Sequence, residues 1–161
     1  MIKDNYLVTG SEGFVGFNLS NYINKLGHNV FGIDLNNGLD NLKNWRKIQL
    51  DNIGVKTYSV DISDKYQIEE FQNNLKNVSF KSIFHLAGLA GVRKSLEIPE
   101  KYYDANLRGT LNVLNLAKSF NVNSLTFSST SSVYGGSKHN SKEDDDLYPI
   151  SPYANSKLLA E

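Results

Sequence analysis

The chain has 161 residues, 40% hydrophobic and 21% charged, which suffices for one domain with a buried core but not for two. Its 17 basic and 17 acidic residues cancel, so we expect no affinity for nucleic acid or an anionic membrane surface, and the absence of cysteine excludes disulfides and thiolate metal sites. Apolar runs stay well short of ~18 residues, so we predict no membrane span, no signal peptide and a cytoplasmic location.

Short runs rich in β-branched and aromatic residues alternate with stretches of helical character. The predicted strands are residues 6–9, 30–34, 55–60, 82–86 and 124–128. After Pro99, Leu107, Leu111, Leu114 and Ala117 recur at intervals of four and three, which predicts an amphipathic helix. This alternation predicts an α/β fold, a doubly wound sheet of mostly parallel strands.

A glycine-rich loop, TGSEGFVG, follows the first predicted strand and opens the first helix, with Gly10, Gly13 and Gly16 at every third position. Such spacing permits a tight turn and lets the backbone of a helix N-terminus approach a diphosphate. A turn without a ligand is the alternative for the motif taken alone. Its place at the first strand-to-helix turn favours dinucleotide binding.

The second predicted strand ends in Asp34, where a carboxylate can accept hydrogen bonds from both ribose hydroxyls. A carboxylate there would repel a 2′-phosphate, so the sequence favours NAD over NADP. Lys43, Arg46 and Lys47 follow in a predicted helix, and their distance along the chain suggests that they do not reverse this preference.

The TGxxGxxG pattern resembles the short-chain dehydrogenase/reductase superfamily, and GFVG resembles its extended branch of nucleotide-sugar epimerases and dehydratases. The segment HLAG, which begins at His85, and the helix segment YYDANLRGT are similar to segments of the same branch. The resemblance implies NAD as the cofactor. It assigns cofactor contacts to these positions: Gly10, Gly13, Phe14, Val15, Gly16, Asp34, Asp61, Ile62, Ala87, Gly88, Asn106, Tyr153 and Lys157. A strand-end cap is an equal alternative for Asp61, and we give His85 no role because it is more typical of a packed core histidine.

The segments FSSTSSVYG and YANSK complete the resemblance. Taken alone, the first is a serine-rich loop and the second places Tyr153 and Lys157 one turn apart on a helix that Ser151 and Pro152 would start. Together they resemble the catalytic hydroxyl, tyrosine and lysine of the extended branch. The resemblance implies that Tyr153 is the acid/base, that Lys157 favours its phenolate and binds the nicotinamide ribose, and that Thr130 orients the substrate oxygen, although the neighbouring serines are close enough for the alignment to slip.

Proton removal from a sugar carbinol explains why such a trio is needed. A free phenol has a pKa of about 10 and is a poor base at neutral pH. A shift to about 7 needs roughly 4 kcal/mol of preferential stabilisation of the phenolate. An ammonium one helical turn away and a positively charged nicotinamide ring could supply it together.

Ser131 and Ser132 stand where sugar-nucleotide dehydratases carry carboxyl residues, which favours a 4-epimerase that oxidises C4 and returns hydride to the other face. The segment AGLAGVRKS resembles uronate-sugar 4-epimerases and makes Arg93 a candidate substrate contact, with Ser131 and Ser132 as tentative ones. A surface arginine at a helix entry is the alternative. We expect UDP-glucuronate, or else UDP-glucose or UDP-galactose, as the substrate.

Members of this branch are roughly twice as long. The resemblance therefore implies that residues 1–161 form an NAD-binding Rossmann domain truncated before the C-terminal substrate domain, weak in NAD binding and inactive by itself. It also implies a possible homodimer through helices 100–120 and 152–161. The alternatives are a non-catalytic NAD-binding module and a nucleotide-sugar dehydratase or reductase. The acidic run 143–146 indicates a solvated loop rather than a metal site, His139 being its nearest histidine.

Overall fold

Strands and helices alternate along the chain and build a five-stranded parallel sheet with the order β3-β2-β1-β4-β5. The computed structural model describes residues 3–36, 38–136 and 140–161, so His139 lies outside the described residues. The strands are β1 Asn5–Thr9, β2 Asn29–Asp34, β3 Lys56–Ser59, β4 Ser82–His85 and β5 Ser124–Phe127. Each strand lies where the sequence predicted one, and every strand end agrees within one residue. The doubly wound parallel sheet is thereby confirmed.

The helices connect successive strands and cover both faces of the sheet. They are α1 Phe14–Lys25, α2 Asn41–Asn52, α3 Lys65–Asn74, α4 Val92–Glu97, α5 Pro99–Tyr102, α6 Gly109–Ser119 and α7 Pro152–Leu158. A π-helical segment, Tyr103–Arg108, joins α5 to α6, and a 3₁₀ turn, Ser131–Tyr134, follows β5. In the described ranges, no helix is both long and apolar enough to cross a membrane.

Two apolar clusters lie on opposite faces of the sheet because neighbouring strand residues point in opposite directions. Leu7 packs with residues of α3 and α6, among them Phe71 and Leu116. Val8, the next residue of β1, belongs to a second cluster with Ile23 of α1 and Leu50 of α2. The central strand is therefore buried on both sides, as expected for a parallel sheet.

The long helix after Pro99 forms as predicted, but two leucines of its apolar repeat do not face the core. Leu111 is 53% exposed and Leu114 45% exposed, whereas Val113 and Leu116 are fully buried. The buried side also carries small and polar residues, which a search for repeating apolar residues does not identify. One of these is Gly109, where an added Cβ would lie 2.7 Å from Ile62 Cδ1, so the helix approaches the end of β3 too closely for a larger side chain.

The order of the strands creates a switch point between β1 and β4. From β1 the chain proceeds to β2 and β3 on one side, and then crosses to β4 and β5 on the other. Ligands of open parallel sheets bind at such a point, beyond the carboxyl ends of the strands. The glycine loop after β1 and the HLAG loop after β4 meet there.

Candidate active site

A cleft of about 320 Å³ lies at the switch point, beyond the carboxyl ends of the central strands. We call it the main cleft. Most of the predicted cofactor positions line it, namely Gly10, Gly13, Asp34, Asp61, Ile62, Ala87 and Gly88. The remaining lining residues, which were not predicted as cofactor contacts, are Leu35, Lys43, Val60, Leu86, Leu89 and Ala105. The structure therefore brings together residues from the carboxyl ends of β1 to β4, with Lys43 from α2 and Ala105 from the π-helical segment.

Close backbone packing explains two of the three predicted glycines. Gly10 has φ +71°, and an added Cβ would lie 2.8 Å from Ala87 N, so the loops after β1 and β4 touch here. An added Cβ on Gly16 would lie 2.0 Å from Gly10 O, so helix α1 packs directly on the turn. This contact holds the N-terminus of α1 beside the main cleft.

The first turn of α1 offers backbone donors rather than side chains. Gly13 caps the helix without a side-chain hydrogen bond, and Phe14 and Val15 are exposed. The first N–H groups of a helix have no intrahelical acceptor. Any contact of Phe14 or Val15 with a diphosphate would therefore use backbone N–H groups, aided by the positive end of the helix dipole.

Asp34 is buried at the end of β2, and both of its carboxylate oxygens are engaged. Oδ2 accepts a hydrogen bond from Glu12 N at 2.9 Å, and Oδ1 accepts one from Lys43 Nζ at 2.5 Å. The expectation that Lys43 lies too far away to act here is wrong. Asp40 caps α2 by accepting from Leu42 N and Lys43 N, which places the first turn of that helix beside the end of β2.

Glu12 is an unpredicted buried carboxyl group next to Asp34. Its Oε2 accepts a hydrogen bond from Asn36 Nδ2 at 2.7 Å, and its carbonyl oxygen accepts one from Arg46 Nη1 at 3.1 Å. Burial raises the pKa of the Glu12 carboxyl, and the negative charge of Asp34 acts in the same direction. Glu12 lies between Gly10 and Gly13 of the glycine motif, and the motif pattern predicts no role for the residue at this position.

Asp61 and Ile62 line the main cleft, and Asp61 also caps the end of its strand. Asp61 Oδ1 accepts hydrogen bonds from Ser63 N at 2.9 Å and from Ser63 Oγ at 2.7 Å. Asp61 is therefore a strand-end cap that also lines the main cleft, and its contact with a cofactor stays a prediction. Ile62 is held from the other side because Asn112 Nδ2 donates to its carbonyl oxygen at 2.8 Å.

His85 is buried at the centre of a hydrogen-bonded chain. Thr9 Oγ1 accepts from Leu86 N at 3.1 Å and from Ala87 N at 3.0 Å, so its own proton is directed to His85 Nδ1, 2.7 Å away. The other ring nitrogen, Nε2, then carries the proton and donates to Thr110 Oγ1 at 3.0 Å. Burial, with a smaller contribution from Lys157, lowers the pKa of His85 to about 4, so the ring is neutral at pH 7.

The chain of hydrogen bonds continues to Asn106, which is fully buried in the π-helical segment. Thr110 Oγ1 donates to Asn106 O at 2.5 Å. The Asn106 amide accepts from Leu89 N at 2.7 Å and donates to Leu89 O at 3.0 Å and to Ser156 Oγ at 2.9 Å. Asn106 therefore does not line the main cleft but fixes its loop and binds that loop to helix α7.

A smaller cavity of about 130 Å³ adjoins the main cleft, and Leu86, Gly88 and Leu89 line both. Tyr153 and Lys157 of α7 line the smaller cavity, so the structure places the predicted acid/base pair there. The predicted start of this helix is confirmed, since Ser151 Oγ accepts from Ala154 N at 3.1 Å and Pro152 occupies the first turn.

Two contacts hold the Tyr153 and Lys157 side chains. The Tyr153 ring packs edge-on against Tyr102, with 6.1 Å between ring centroids, and the hydroxyl of Tyr102 donates to Ala90 O at 2.9 Å. Lys157 Nζ lies 4.0 Å from the centroid of the Phe127 ring, at the end of β5. These aromatic contacts join three separate elements, α5, β5 and α7, so no local sequence pattern predicts them.

Thr130 does not line the smaller cavity, whereas Ser128 and Ser129 do. Thr130 Oγ1 accepts a hydrogen bond from Ser132 N at 3.2 Å and thereby caps the 3₁₀ turn. This bond uses an acceptor site of the hydroxyl and leaves its proton available as a donor. The role of Thr130 toward a substrate stays a prediction, with Ser129 as the neighbour that already faces the cavity.

The predicted substrate contacts do not converge on either cavity. Arg93 is exposed on the short helix α4, which agrees with the surface alternative, and Ser131 is exposed on the 3₁₀ turn. Ser132 contributes its backbone N–H to the cap by Thr130. Within the described ranges, no group of three or more metal-ligating side chains is present.

A family model described as GDP-mannose 4,6 dehydratase matches residues 7–161 of this chain. The chain belongs to this family. The resemblance to the extended branch of nucleotide-sugar epimerases and dehydratases is thereby confirmed.

Relatives of this family member include 4-epimerases. A UDP-glucuronate 4-epimerase of Thermodesulfobacterium geofontis is 41% identical over 160 residues, covering 97% of this chain and 49% of the relative. A UDP-glucose 4-epimerase of Pisum sativum is 31% identical over 161 residues, covering 96% of this chain and 45% of the relative. The chain thus spans about half the length of the curated relatives that it matches.

Solved structures agree with this family assignment. The UDP-glucose 4-epimerase from Bifidobacterium longum, in complex with NAD⁺ and UDP, superposes with a TM-score of 0.82 at 30% identity, covering 97% of this chain and 46% of that one. The UDP-Glc/GlcNAc 4-epimerase from Campylobacter jejuni gives a TM-score of 0.83 at 27% identity, covering 98% of this chain and 46% of that one.

Lys157 is the clearest electrostatic cost in the site. Its ammonium is buried, and the described residues give Nζ a ring contact but no hydrogen bond or ion pair. Burial lowers the pKa of Lys157 from 10.5 to about 8, although the nearby charge of Glu161 opposes the shift. A base whose pKa falls on folding destabilises the folded state wherever it must be protonated.

We therefore expect Lys157→Met to stabilise the protein at pH 7, by about 1–3 kcal/mol in the free energy of unfolding. The gain should shrink between pH 8 and pH 10.5, since over that range the folded wild-type lysine loses its proton before the unfolded one does. Urea denaturation at pH 7 and pH 10 measures it. Lys118→Met, at an exposed site on α6, is the control and should change little. Lower stability of Lys157→Met at pH 7 would contradict this account.

Proposed function

We propose that this chain is the NAD-binding part of a nucleotide-sugar 4-epimerase. One observation carries the proposal: the main cleft, lined by Gly10, Gly13 and Asp34, adjoins the smaller cavity that Tyr153 and Lys157 line, and the HLAG loop borders both. This arrangement suits an extended dinucleotide whose reactive end lies beside a proton acceptor. The related UDP-glucose 4-epimerase from Bifidobacterium longum is in complex with NAD⁺, and one relative is a UDP-glucuronate 4-epimerase. Both facts support the proposal.

The residues present fit a dinucleotide. The N-terminus of α1 would bind the diphosphate, Asp34 would accept the adenosine ribose hydroxyls, and Asp61 with Ile62 would bound the adenine end of the main cleft. When bound, NAD supplies a hydride acceptor that later returns the hydride. Asn106, through its bonds to Leu89, would keep the floor of the cleft rigid.

The proton chemistry falls to helix α7. Tyr153 would take the C4 hydroxyl proton of the sugar when the carbon is oxidised. It would return this proton after the keto sugar has rotated to present its other face to the cofactor. Lys157 is a desolvated ammonium in the same cavity and would favour the phenolate and donate to the nicotinamide ribose. Thr130, or the neighbouring Ser129, would orient the sugar oxygen.

The absence of carboxyl groups at Ser131 and Ser132 favours epimerisation over dehydration. Elimination of water needs groups that protonate and deprotonate carbon, and a serine hydroxyl cannot do this at neutral pH. UDP-glucuronate is the proposed substrate, and UDP-glucose the second. A cytoplasmic location stays a prediction from composition.

Isothermal titration with NAD tests the cofactor site directly. The wild-type chain should bind NAD, and Gly13→Ala should weaken binding by at least about tenfold, or about 1.4 kcal/mol, because the new Cβ would lie 3.1 Å from Gly10 O and would shift the turn that presents the helix N-terminus. Gly136→Ala is the control, since an added Cβ there meets nothing within 4 Å. If the wild-type chain gives no heat of binding with NAD, the proposed dinucleotide site is wrong.

Activity requires a partner half and a catalytic variant. We expect the chain, supplied with the C-terminal half of a homologous UDP-glucuronate 4-epimerase, to convert UDP-glucuronate to its C4 epimer, followed by NMR of the sugar. Tyr153→Phe should lower the rate by about 10²–10⁴-fold and leave NAD affinity nearly unchanged. NAD binding without turnover would favour the non-catalytic module, and full activity of Tyr153→Phe would exclude that residue as the base.

A homodimer is proposed through the face that the structure leaves apolar. Leu111 and Leu114 of α6 and Leu159 at the end of α7 are all exposed, and Tyr103 Oη accepts from Asn155 Nδ2 at 3.3 Å between the two helical regions. Exposed apolar side chains that cluster on a surface can mark an association site. The faces of residues 100–120 and 152–161 from two copies would cover each other.

Leu111→Glu should convert the dimer to a monomer in sedimentation-velocity experiments, because it places a charge in the apolar contact. Ile48→Glu is a matched control, since Ile48 is 55% exposed against 53% for Leu111 but lies on α2, on the opposite face of the sheet. If wild type is monomeric at high micromolar concentration, or if both variants dissociate alike, this interface is wrong.

A further inference from the structure

The Lys157 ammonium lies between an aromatic ring and the HLAG loop. Its Nζ is 4.0 Å from the centroid of the ring of Phe127, the last residue of β5. On the loop side, an added Cβ on Gly88 would lie 4.0 Å from Nζ. Gly88 lines both the main cleft and the smaller cavity. The ammonium is therefore held at the junction of the two cavities.

The surroundings of Lys157 offer its charge little compensation other than this ring. The residue is 6% exposed, and within the described ranges Nζ has no hydrogen bond or ion pair. Burial lowers the pKa of Lys157 to about 8, and Glu161 on the same helix opposes this shift only in part. The face of an aromatic ring carries negative charge density and attracts a cation, most strongly where water is excluded. The Phe127 ring is thus the contact that can stabilise the charge.

The titratable groups around Lys157 do not replace the ring in this role. Tyr153 and Glu161 flank Lys157 on its own helix, and His85 of β4 has a pKa of about 4, so it is neutral at pH 7. The elements packed against α7 are α4, α5, the π-helical segment and the 3₁₀ turn, and the 3₁₀ turn carries no charged side chain. The charged residues of the other three are exposed or paired with each other. They are Arg93, Lys94, Glu97, Glu100 and Lys101, and the ion pair of Asp104 with Arg108.

Neighbouring contacts fix the orientation of the Phe127 ring. Its centroid lies 5.6 Å from that of the His85 imidazole, with 36° between the ring planes. His85 and Phe127 are also direct partners in the pairing of β4 with β5. Thr9 and Thr110 hold His85 in turn through its two ring nitrogens. The buried hydrogen-bonded chain therefore supports the ring that contacts the ammonium of α7.

We propose that Phe127 is a positioning residue, whose ring face holds the Lys157 ammonium at the junction of the two cavities and stabilises its charge there. This role rests on the proposed function, in which a charged Lys157 favours the Tyr153 phenolate. A carboxylate partner would also stabilise the ammonium, but its negative charge would oppose formation of the phenolate beside it. An aromatic ring supports the cation without adding an anion to the site.

NMR titration of the whole chain without cofactor, with isotope-labelled lysine side chains, tests the proposal. The Lys157 signal is identified by its absence from Lys157→Met. In wild type, the terminal methylene protons of Lys157 should be shifted upfield by the ring current of Phe127, unlike those of exposed lysines. In Phe127→Leu this upfield shift should disappear, and the pKa of Lys157 should fall by about one unit, a tenfold change in proton affinity.

Two further replacements separate the charge on the ring face from simple packing. Pentafluorophenylalanine at position 127 nearly keeps the shape of the ring but reverses the charge on its face, so it should lower the pKa of Lys157 as Phe127→Leu does. Phe127→Tyr keeps a negative face and should keep the wild-type pKa. Phe120→Leu is the matched control, since Phe120 is also partly exposed but packs on Phe80, with 4.9 Å between ring centroids. It should leave the pKa of Lys157 unchanged.

Thermal denaturation checks that each variant is folded, and the fluorinated chain and Phe127→Tyr decide the question if Phe127→Leu does not fold. An unchanged or higher pKa of Lys157 in Phe127→Leu or in the fluorinated chain would overturn the proposal. Absence of the ring-current shift in wild type would do the same. These measurements need no cofactor. A failure to bind NAD would instead defeat the proposed function and leave the result on Phe127 standing, so the two failures are distinguishable.

Discussion

The buried hydrogen-bonded chain from Thr9 through His85 and Thr110 to Asn106 is the constraint on which the site depends. Thr9 ends the central strand, and its hydroxyl holds the first two residues of the loop after β4. Asn106 holds the same loop further along and contacts α7 through Ser156. Because each member has its partners satisfied away from water, the network favours one arrangement of the loop and the helix.

This arrangement explains how the two cavities keep their relative positions. The loop after β4 lines both, so fixing it fixes the main cleft against the place where Tyr153 and Lys157 stand. The π-helical segment also belongs to this design, since it carries Asn106 and packs against α7. Such segments are frequent at functional sites. The hydrogen bonds that favour a single arrangement of the loop after β4 therefore also position the residues proposed for catalysis.

The same site holds groups that work against stability. Lys157 is a buried ammonium with a ring as its neighbour, and Glu12 is a buried carboxyl with one oxygen that has no partner within the described residues. Uncompensated burial of such groups costs free energy, and proteins retain them chiefly where they serve function. The Asp34–Lys43 pair differs, since each partner lowers the cost of burying the other.

Local pattern predicted the strands, the glycine turn, the start of α7 and the tyrosine and lysine on one helix face, because these depend on short-range geometry. It failed on α6, where the leucine at 111 follows the right period but faces away from the core. Periodicity marks an apolar stripe and does not say which stripe the sheet covers. The pattern also did not predict that Lys43 reaches Asp34, because the distance between a helix side chain and a strand end depends on how α2 packs on the sheet.

The sequence by itself determined the fold class and most of the residues around the main cleft, because parallel strands must place their carboxyl ends at one edge. Only the tertiary structure decided the tautomer of His85, the partner of Asp34, the orientation of Thr130 and the exposure of Leu111. Those properties arise from contacts between segments far apart in the chain, and no local spacing encodes which atoms will meet.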